Sequence, residues 1–594
     1  MPMARRVHRQ RIGLLLLAAA VSLATTPAAV AVADSAVDQP GVGDQMLLLQ
    51  VPVGDQSHTA LAERLAHEGF EVVGREGDHL VVLGVAEDAD ELAATGLEPI
   101  RTDPAAPAAL PLSEGEHPLP DRLGGREYPT FYGGYRTVAG HQRFADDVAA
   151  AYPDLVRKVE YGDSWRRQQD WSTGHELTAL CITADAADHC ALDPDSPRPR
   201  FLLLGQIHAR ELTTSELTWR FITELLDGHR RDAEITTLLA GTEIWVVPQI
   251  NPDGVTVVED GIEEVGLGSS SPAWQRKNVD HANNVAECGT GSSWSSNHDG
   301  IDLNRNWDTR WGGVGTSPNP CGQTYPGPAG NSEPETDQLA TLIESLFPDQ
   351  RGPGEDDAAP QTTTGTMITL HSTGDLVLFP WGHDAAQQAP NDAGLRSLGF
   401  RLSHFNGYTT GQPPEVLYAV TGATDDWTYD TLGIASYTFE IGSSASGCPG
   451  FHAAYSCQDM FWDLNRDALL YAAKTARQPY ALSLGPTVSE VTSTRALGRW
   501  ASVHATADDD AYGEVGVDRP AAQDVVAAEV YLDAPPWAGG TPQPIGVQGS
   551  GAEVELGGVI SIAGLPAGRH PIHVRAQDAD GNWGPVTSAW LAGS

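Results

Sequence analysis

Four short apolar or β-branched runs, with helix-patterned stretches between them, limit this 594-residue chain more than any other feature. The runs are 200–207, 242–250, 366–370 and 434–441. Unbroken runs of this kind suit strands buried on both faces. Between them, 214–226, 333–346 and 458–476 repeat apolar residues at helical spacing. Strands alternating with helices predict an α/β domain built on a mixed sheet, here over 127–482.

Two smaller units flank it. Within 34–102 the pattern reads strand 46–53, helix 58–69, strands 70–73 and 79–83, helix 87–94 and strand 97–100. That order is the split βαβ arrangement of a small α/β domain. A Pro- and Ala-rich linker, 103–126, follows, and Arg122 and Arg126 are candidate nicking points. From 485 helical spacing disappears, and short strands are expected at 500–505, 525–532, 558–562 and 570–576. This texture predicts an all-β sandwich over 485–594 that resembles immunoglobulin-like modules. Its Asp578-Ala-Asp-Gly-Asn582 run reads as an Asp-Gly turn rather than a calcium loop, because Ala589 stands where the closing Glu would be.

Residues 1–33 read as a signal peptide. Arg5, Arg6, Arg9 and Arg11 precede an apolar stretch, 12–24, that is too short to span a bilayer. Ala31-Val-Ala33 offers a cleavage site, so a mature, secreted chain is expected to begin near Asp34. No later segment is apolar and long enough for a transmembrane helix, so no membrane span is expected. A formal net charge of −43 argues against a nucleic-acid partner, since phosphate binding needs clustered Lys and Arg. A monomer is expected. Six cysteines in an exported chain favour disulfides, and 181–190, 288–321 and 448–457 would close the shortest loops. No Cys-x-x-Cys pair is present, so no thiolate metal centre is expected.

The chemistry gathers where strands end. The run Phe201-Leu-Leu-Leu-Gly-Gln-Ile-His208-Ala-Arg-Glu211 delivers His208 and Glu211 to a turn, and Thr213-x-x-Glu216 reads as a capping box opening the next helix. Imidazole nitrogen and carboxylate oxygen both suit zinc. His371 stands at the end of another apolar run, Met367-Ile-Thr-Leu370. A close pair plus one distant ligand is the layout of a catalytic zinc. The bland alternatives are a surface pair for His208 and Glu211 and a satisfied core histidine for His371. His175-Glu176 fails as a helical zinc motif, because Ala179 replaces the second histidine.

These residues belong to a longer ordered series. It runs His208-x-x-Glu211, Asn251-Pro-Asp-Gly254, Trp274-Gln-Arg276-Lys-Asn278, Asn304-Arg305-Asn-Trp307, His371-Ser372, Tyr418 followed by Asp425-Asp-Trp427, and Phe439-Glu440. Over about residues 128–480 the chain resembles the M14 family of zinc carboxypeptidases. The resemblance implies one zinc per chain on His208, Glu211 and His371, the two-His, one-Glu set of carboxypeptidase A. It makes Glu440 the general base that takes a proton from a zinc-activated water and passes it to the leaving amine. Arg276 would stabilise the developing oxyanion. Asn304, Arg305 and Tyr418 would clamp the terminal carboxylate of the substrate. The partners are therefore the C-termini of peptides and proteins, since an internal bond has no free carboxylate. Asp425 occupies the family's position at the bottom of the pocket for the departing side chain, and a buried carboxylate there calls for Arg or Lys. The unit at 34–102 resembles the family's propeptide, with activating cleavage expected between 101 and 126.

Each role has a plainer alternative: a surface ion pair for Arg276, a structural strand end for Glu440, a turn for Asn304, a core tyrosine for Tyr418, and an internal ion pair for Asp425. Two other functions compete. One is a murein peptidase of the same fold, and the other is an inactive peptide-binding homologue. The carboxylate clamp favours ordinary peptides over the first. The full ligand set together with Glu440 and Arg276 argues against the second.

Overall fold

The computed structural model describes residues 45–106, 115–281, 288, 299–442, 448, 450–495 and 498–593. The expected signal peptide, 1–33, and the middle of the expected linker lie outside the described residues. The small unit has strand β1 (Leu47–Pro52), helix α1 (His58–Glu68), β2 (Glu71–Glu76), β3 (His79–Gly84), α2 (Ala86–Ala94) and β4 (Arg101–Pro104). Its sheet is antiparallel in the order β2-β3-β1-β4. Ser57 starts α1 by accepting a hydrogen bond from the Ala60 amide at 3.1 Å. The last strand lies at 101–104 and not at 97–100. Leu97 drops into the core after α2, while β4 is an edge strand whose side chains face outward and carry no apolar signature. Asp103 and Pro104, read as linker, complete that strand, and Ala105 is fully buried behind it.

The central region begins with two short strands, β5 (Thr130–Phe131) and β6 (Tyr135–Arg136), and helix α3 (Val138–Ala151). Then come β7 (Val156–Asp163), α4 (Trp165–Gln169), β8 (Glu176–Ile182), β9 (Arg200–Leu204), α5 (Leu212–Gly228), α6 (Ala233–Gly241), β10 (Glu243–Val247), α7 (Pro252–Glu264) and α8 (Pro334–Leu346). The second half adds β11 (Thr366–His371), β12 (Leu376–Leu378), α9 (Asp392–Asn406), β13 (Thr409–Gly411), α10 (Pro413–Val416), α11 (Thr424–Leu432), β14 (Ala435–Glu440), α12 (Cys457–Thr475) and α13 (Pro479–Leu482). Eight strands form one mixed sheet in the order β13-β12-β14-β11-β9-β10-β8-β7. The four central strands, β14, β11, β9 and β10, are parallel.

Alternation along the central strands builds a core on each face. Phe201 and Leu203 of β9 share one core with residues of α5, α9 and α12, whereas Leu202 and Leu204 share the other with residues of α8 and α11. All four side chains are fully buried, each contributing roughly 1.5–3 kcal/mol. Because both faces are covered, the strands are apolar throughout rather than alternating.

Helix α5 corrects one expectation. Thr213 and Glu216 do not form a capping box, and the N-cap residue is Glu211. The Glu216 carboxylate instead pairs with the Arg136 guanidinium and accepts the Arg136 amide at 2.8 Å, all of it buried. A buried cation outcompetes a helix-end amide for a carboxylate.

The C-terminal unit has β15 (Thr487–Arg495), β16 (Trp500–Asp508), β17 (Val525–Leu532), β18 (Gln543–Gln548), β19 (Glu553–Ser561), β20 (Pro571–Asp578) and β21 (Thr587–Trp590). All pairings are antiparallel, in the order β15-β16-β19-β18-β17-β20-β21. Strand β18 pairs with both β17 and β19, so the two layers are one sheet folded over. The Thr587 hydroxyl of β21 donates to the Val488 carbonyl of β15 at 2.6 Å, which nearly closes the sheet around its core. Asp578 accepts from the Asn582 amide and side chain at 2.7 and 2.8 Å, the geometry of a turn. The disulfides are Cys181–Cys190, Cys288–Cys321 and Cys448–Cys457.

Candidate metal centre and active site

Strand β9 has β10 on one side and β11 on the other, so the sheet grows in opposite directions from it. Parallel strands end at a common edge, and a crevice opens where the order reverses. His371 ends β11 and stands in register with Glu440, which ends β14. Beyond β9 the chain turns at Gly205, where a Cβ would meet the Pro248 carbonyl oxygen at 2.8 Å. That turn brings His208 and Glu211 to the same edge.

His208, Glu211 and His371 converge, with one ligand atom of each within 4.8 Å of the others. Both imidazoles present Nδ1, and these atoms are 3.2 Å apart. Glu211 Oε2 lies 3.3 Å from His371 Nδ1, and Glu211 Oε1 lies 2.7 Å from His208 Nδ1. Bond lengths of about 2.0–2.2 Å place tetrahedral zinc ligands about 3.3–3.6 Å apart. Two of the three separations sit near that spacing, and the third is a hydrogen-bond length. The donor set therefore fits zinc. All three residues are buried. Burial pushes the Glu211 carboxyl up, but His208 and His371 outweigh it and hold it below its usual range.

An additional carboxylate stands behind this trio. Asp302, fully buried, accepts from His208 Nε2 at 3.1 Å and from Arg276 Nε at 3.1 Å. It also accepts from the Asn304 amide at 3.0 Å. Asp302 thus fixes which His208 nitrogen faces the centre and aims Arg276, the work of a carboxylate behind a histidine ligand. Sequence reasoning missed it. The available signal was an acid between apolar Ile301 and Leu303, two residues before Asn304. Burial raises the Asp302 carboxyl, but Arg276 and His208 hold it well below the usual range.

Arg276 reaches within 3.8 Å of Glu211. Burial would lower its pKa, but Asp302, Glu71 and Glu211 raise it further, so it stays charged. Its neighbour Lys277 donates to the Pro320 and Gly322 carbonyls at 3.0 Å each, anchoring this segment beside the Cys288–Cys321 bridge. Asn304 accepts from the Thr424 amide and hydroxyl at 2.9 and 2.8 Å. Arg305 donates to the Gly315 and Asn304 carbonyls at 2.9 and 2.8 Å and has no carboxylate partner among the described residues.

Glu440 faces the same cavity without a hydrogen bond or ion pair among the described residues. Burial and the nearby Glu211 carboxylate lift its pKa well above the usual range. Asp425 lines the cavity beside Thr438 and forms no ion pair among the described residues. Burial raises its pKa to about 6. Tyr418 lines the same cavity. The structure therefore brings together all nine residues singled out from sequence. His175 lies elsewhere, 2.9 Å from the Thr256 hydroxyl.

The small unit covers this edge. Val72 and Val73 of β2 line the cavity, leaving a volume of about 50 Å³. Glu71 forms a buried ion pair with Arg210, which lies between His208 and Glu211 in the chain. Arg75 donates to the Glu415 carbonyl at 2.8 Å.

A family model described as zinc carboxypeptidase, Peptidase_M14, matches residues 141–462. A zinc carboxypeptidase of Saccharothrix mutabilis subsp. capreolus is 28% identical over 401 residues, 66% of this chain and 80% of the relative. Carboxypeptidase A2 of Mus musculus is 27% identical over 322 residues, 52% of this chain but only 63% of that protein. Among solved structures, carboxypeptidase A from Helicoverpa armigera superposes with a TM-score of 0.55 at 18% identity, covering 74% of this chain and 99% of the other. That likeness is one of fold.

Proposed function

This chain belongs to the M14 zinc carboxypeptidases, and on that premise we propose a secreted enzyme that releases single Arg or Lys residues from peptide C-termini. One observation carries the reading. Three ligand atoms close enough to share one ion lie beside Glu440, a carboxylate with no ion pair among the described residues. Zinc bound there would act as a Lewis acid on the scissile carbonyl and on water.

The chain's own groups do the rest. Glu440, with its raised pKa, would take a proton from the attacking water and return it to the leaving amine. Arg276, held by Asp302, would stabilise the negative charge that develops on the carbonyl oxygen. Asn304, Arg305 and Tyr418 hold the terminal carboxylate, and Arg305, which has no carboxylate partner among the described residues, supports that use. Asp425 receives the departing side chain. It forms no ion pair among the described residues, so a substrate guanidinium or ammonium would supply one. The three disulfides support export, and no helix among the described residues is long and apolar enough to cross a membrane.

We read the unit at 34–102 as a propeptide, because Val72 and Val73 line the cavity and Glu71 holds Arg210, between His208 and Glu211 in the chain, in a buried ion pair. Mass spectrometry of a peptide library tests the specificity. Wild-type enzyme is expected to release Arg and Lys, and Asp425→Ile to shift release toward Leu and Phe. Unchanged release of basic residues by the variant would refute the pocket assignment.

A further inference from the structure

The C-terminal sandwich does not hang from a tether. Its segment Tyr512 to Arg519 lies along the free edge of the central sheet. The Thr410 amide of β13 donates to the Val515 carbonyl at 3.0 Å, and the Val517 amide donates back to the Thr410 carbonyl at 3.0 Å. Residues 515–517 thus extend the sheet by one parallel bridge, at Gly516. Gly516 has φ 153°, and a Cβ there would meet the Thr410 carbonyl oxygen at 2.3 Å, so only glycine permits this approach. The Gly513 amide donates to the Phe400 carbonyl at 2.7 Å. Arg401 of α9 forms a buried ion pair of 3.0 Å with Asp509.

This contact reaches the substrate cavity. Val517 and Tyr418 both pack against the cluster of Leu376, Leu378, Val416 and Leu417. Of these, Leu378, Leu417 and Tyr418 line the cavity. Arg396 locks the same wall from behind. Its guanidinium donates to the Val517 carbonyl at 2.7 Å, to Glu415 of α10 at 3.2 Å, and to Asp392 at 3.1 and 3.0 Å. Glu415 in turn accepts the Gln412 amide at 2.8 Å, which holds the turn leading into α10. The wall that carries Tyr418 is short, and it is backed by a residue of another domain.

We propose that Val517 and Arg396 are positioning residues, and that the C-terminal sandwich completes the enzyme by holding the 412–418 wall and Tyr418 in place for the substrate. The inference rests on the reading of Tyr418 as part of the carboxylate clamp. Val517 touches no reacting atom. Loosening the wall weakens ground state and transition state alike, which raises KM and leaves kcat in place.

The test uses the full chain, zinc-loaded and given the same limited proteolysis for every variant. With hippuryl-arginine as substrate, Val517→Ala is expected to raise KM roughly threefold to tenfold while kcat stays within about twofold. Val517→Ile is expected to restore the wild-type KM. Val526→Ala, at an exposed sandwich position, is expected to change neither value. Amide hydrogen exchange on the unproteolysed chain supplies a readout free of activity. In Val517→Ala, exchange is expected to quicken across 412–418 while the sandwich strands keep wild-type protection. Wild-type KM and wild-type exchange in Val517→Ala would overturn the inference. If the wild-type chain is itself inactive, the carboxypeptidase reading fails, and exchange alone decides whether Val517 holds the wall.

Discussion

In the proposed reaction Glu440 is the residue on which the chemistry turns, and its surroundings support that use. A carboxylate at the end of a buried strand ordinarily has a partner; this one has none among the described residues and sits near Glu211. Glu440→Gln preserves shape and removes only the basic function. It is expected to lower kcat by about 10²–10⁴-fold while zinc content stays at one per chain. Loss of zinc along with activity would instead assign Glu440 to the ligand set. His208, Glu211, His371 and Glu440 were legible in sequence because each closes or follows an apolar run. Asp302 was not, because an isolated acid carries no sign of the two groups, His208 and Arg276, that the fold brings to it from 94 and 26 residues away. Glu216 misled for the same reason, since Arg136 reaches it from 80 residues away.

At the scale of elements, the N-terminus of α8 stores a pH dependence. Glu333, its N-cap residue, and Glu335 are both fully buried, and Asn278 Nδ2 donates to them at 2.8 and 3.3 Å. Burial chiefly, with Asp280 and Glu335 adding, raises the Glu333 pKa to about 8, and burial raises Glu335 to about 7. The folded state therefore holds protons that the unfolded chain releases above its ordinary carboxyl pKa of 4.5. This contribution is fully present below that value and is lost as pH rises through about 8, each tenfold gain in proton affinity on folding being worth about 1.4 kcal/mol. Glu333→Gln can still accept from Asn278 and meet the Ser332 hydroxyl. Its melting temperature is expected to exceed that of wild type by a margin that widens by a few degrees from about pH 5 to about pH 9. A margin that stays flat or narrows over that range would contradict the assignment. Element boundaries in the buried core were legible within a few residues, because strands covered on both faces announce themselves. Edge strand β4 was displaced by four residues, because pairing on one side only leaves no apolar pattern.

At the scale of the whole molecule, three units meet at one cavity. The central sheet brings His208, Glu211, His371 and Glu440 to it, Val72 and Val73 of the small sheet line it, and Val517, in the loop between β16 and β17, backs its wall. A cavity of about 50 Å³ lined by Val72 and Val73 is small for a peptide end. Cleavage between 101 and 126 is therefore expected to raise activity, and equal rates for full-length chain and a form beginning near Glu127 would rule out an inhibitory role. The most direct test of the central claim is hippuryl-arginine hydrolysis by the cleaved chain through a cycle of chelation and zinc return. The account predicts that chelator abolishes hydrolysis and that activity returns as zinc approaches one ion per chain. Hydrolysis that survives full removal of the metal would contradict it.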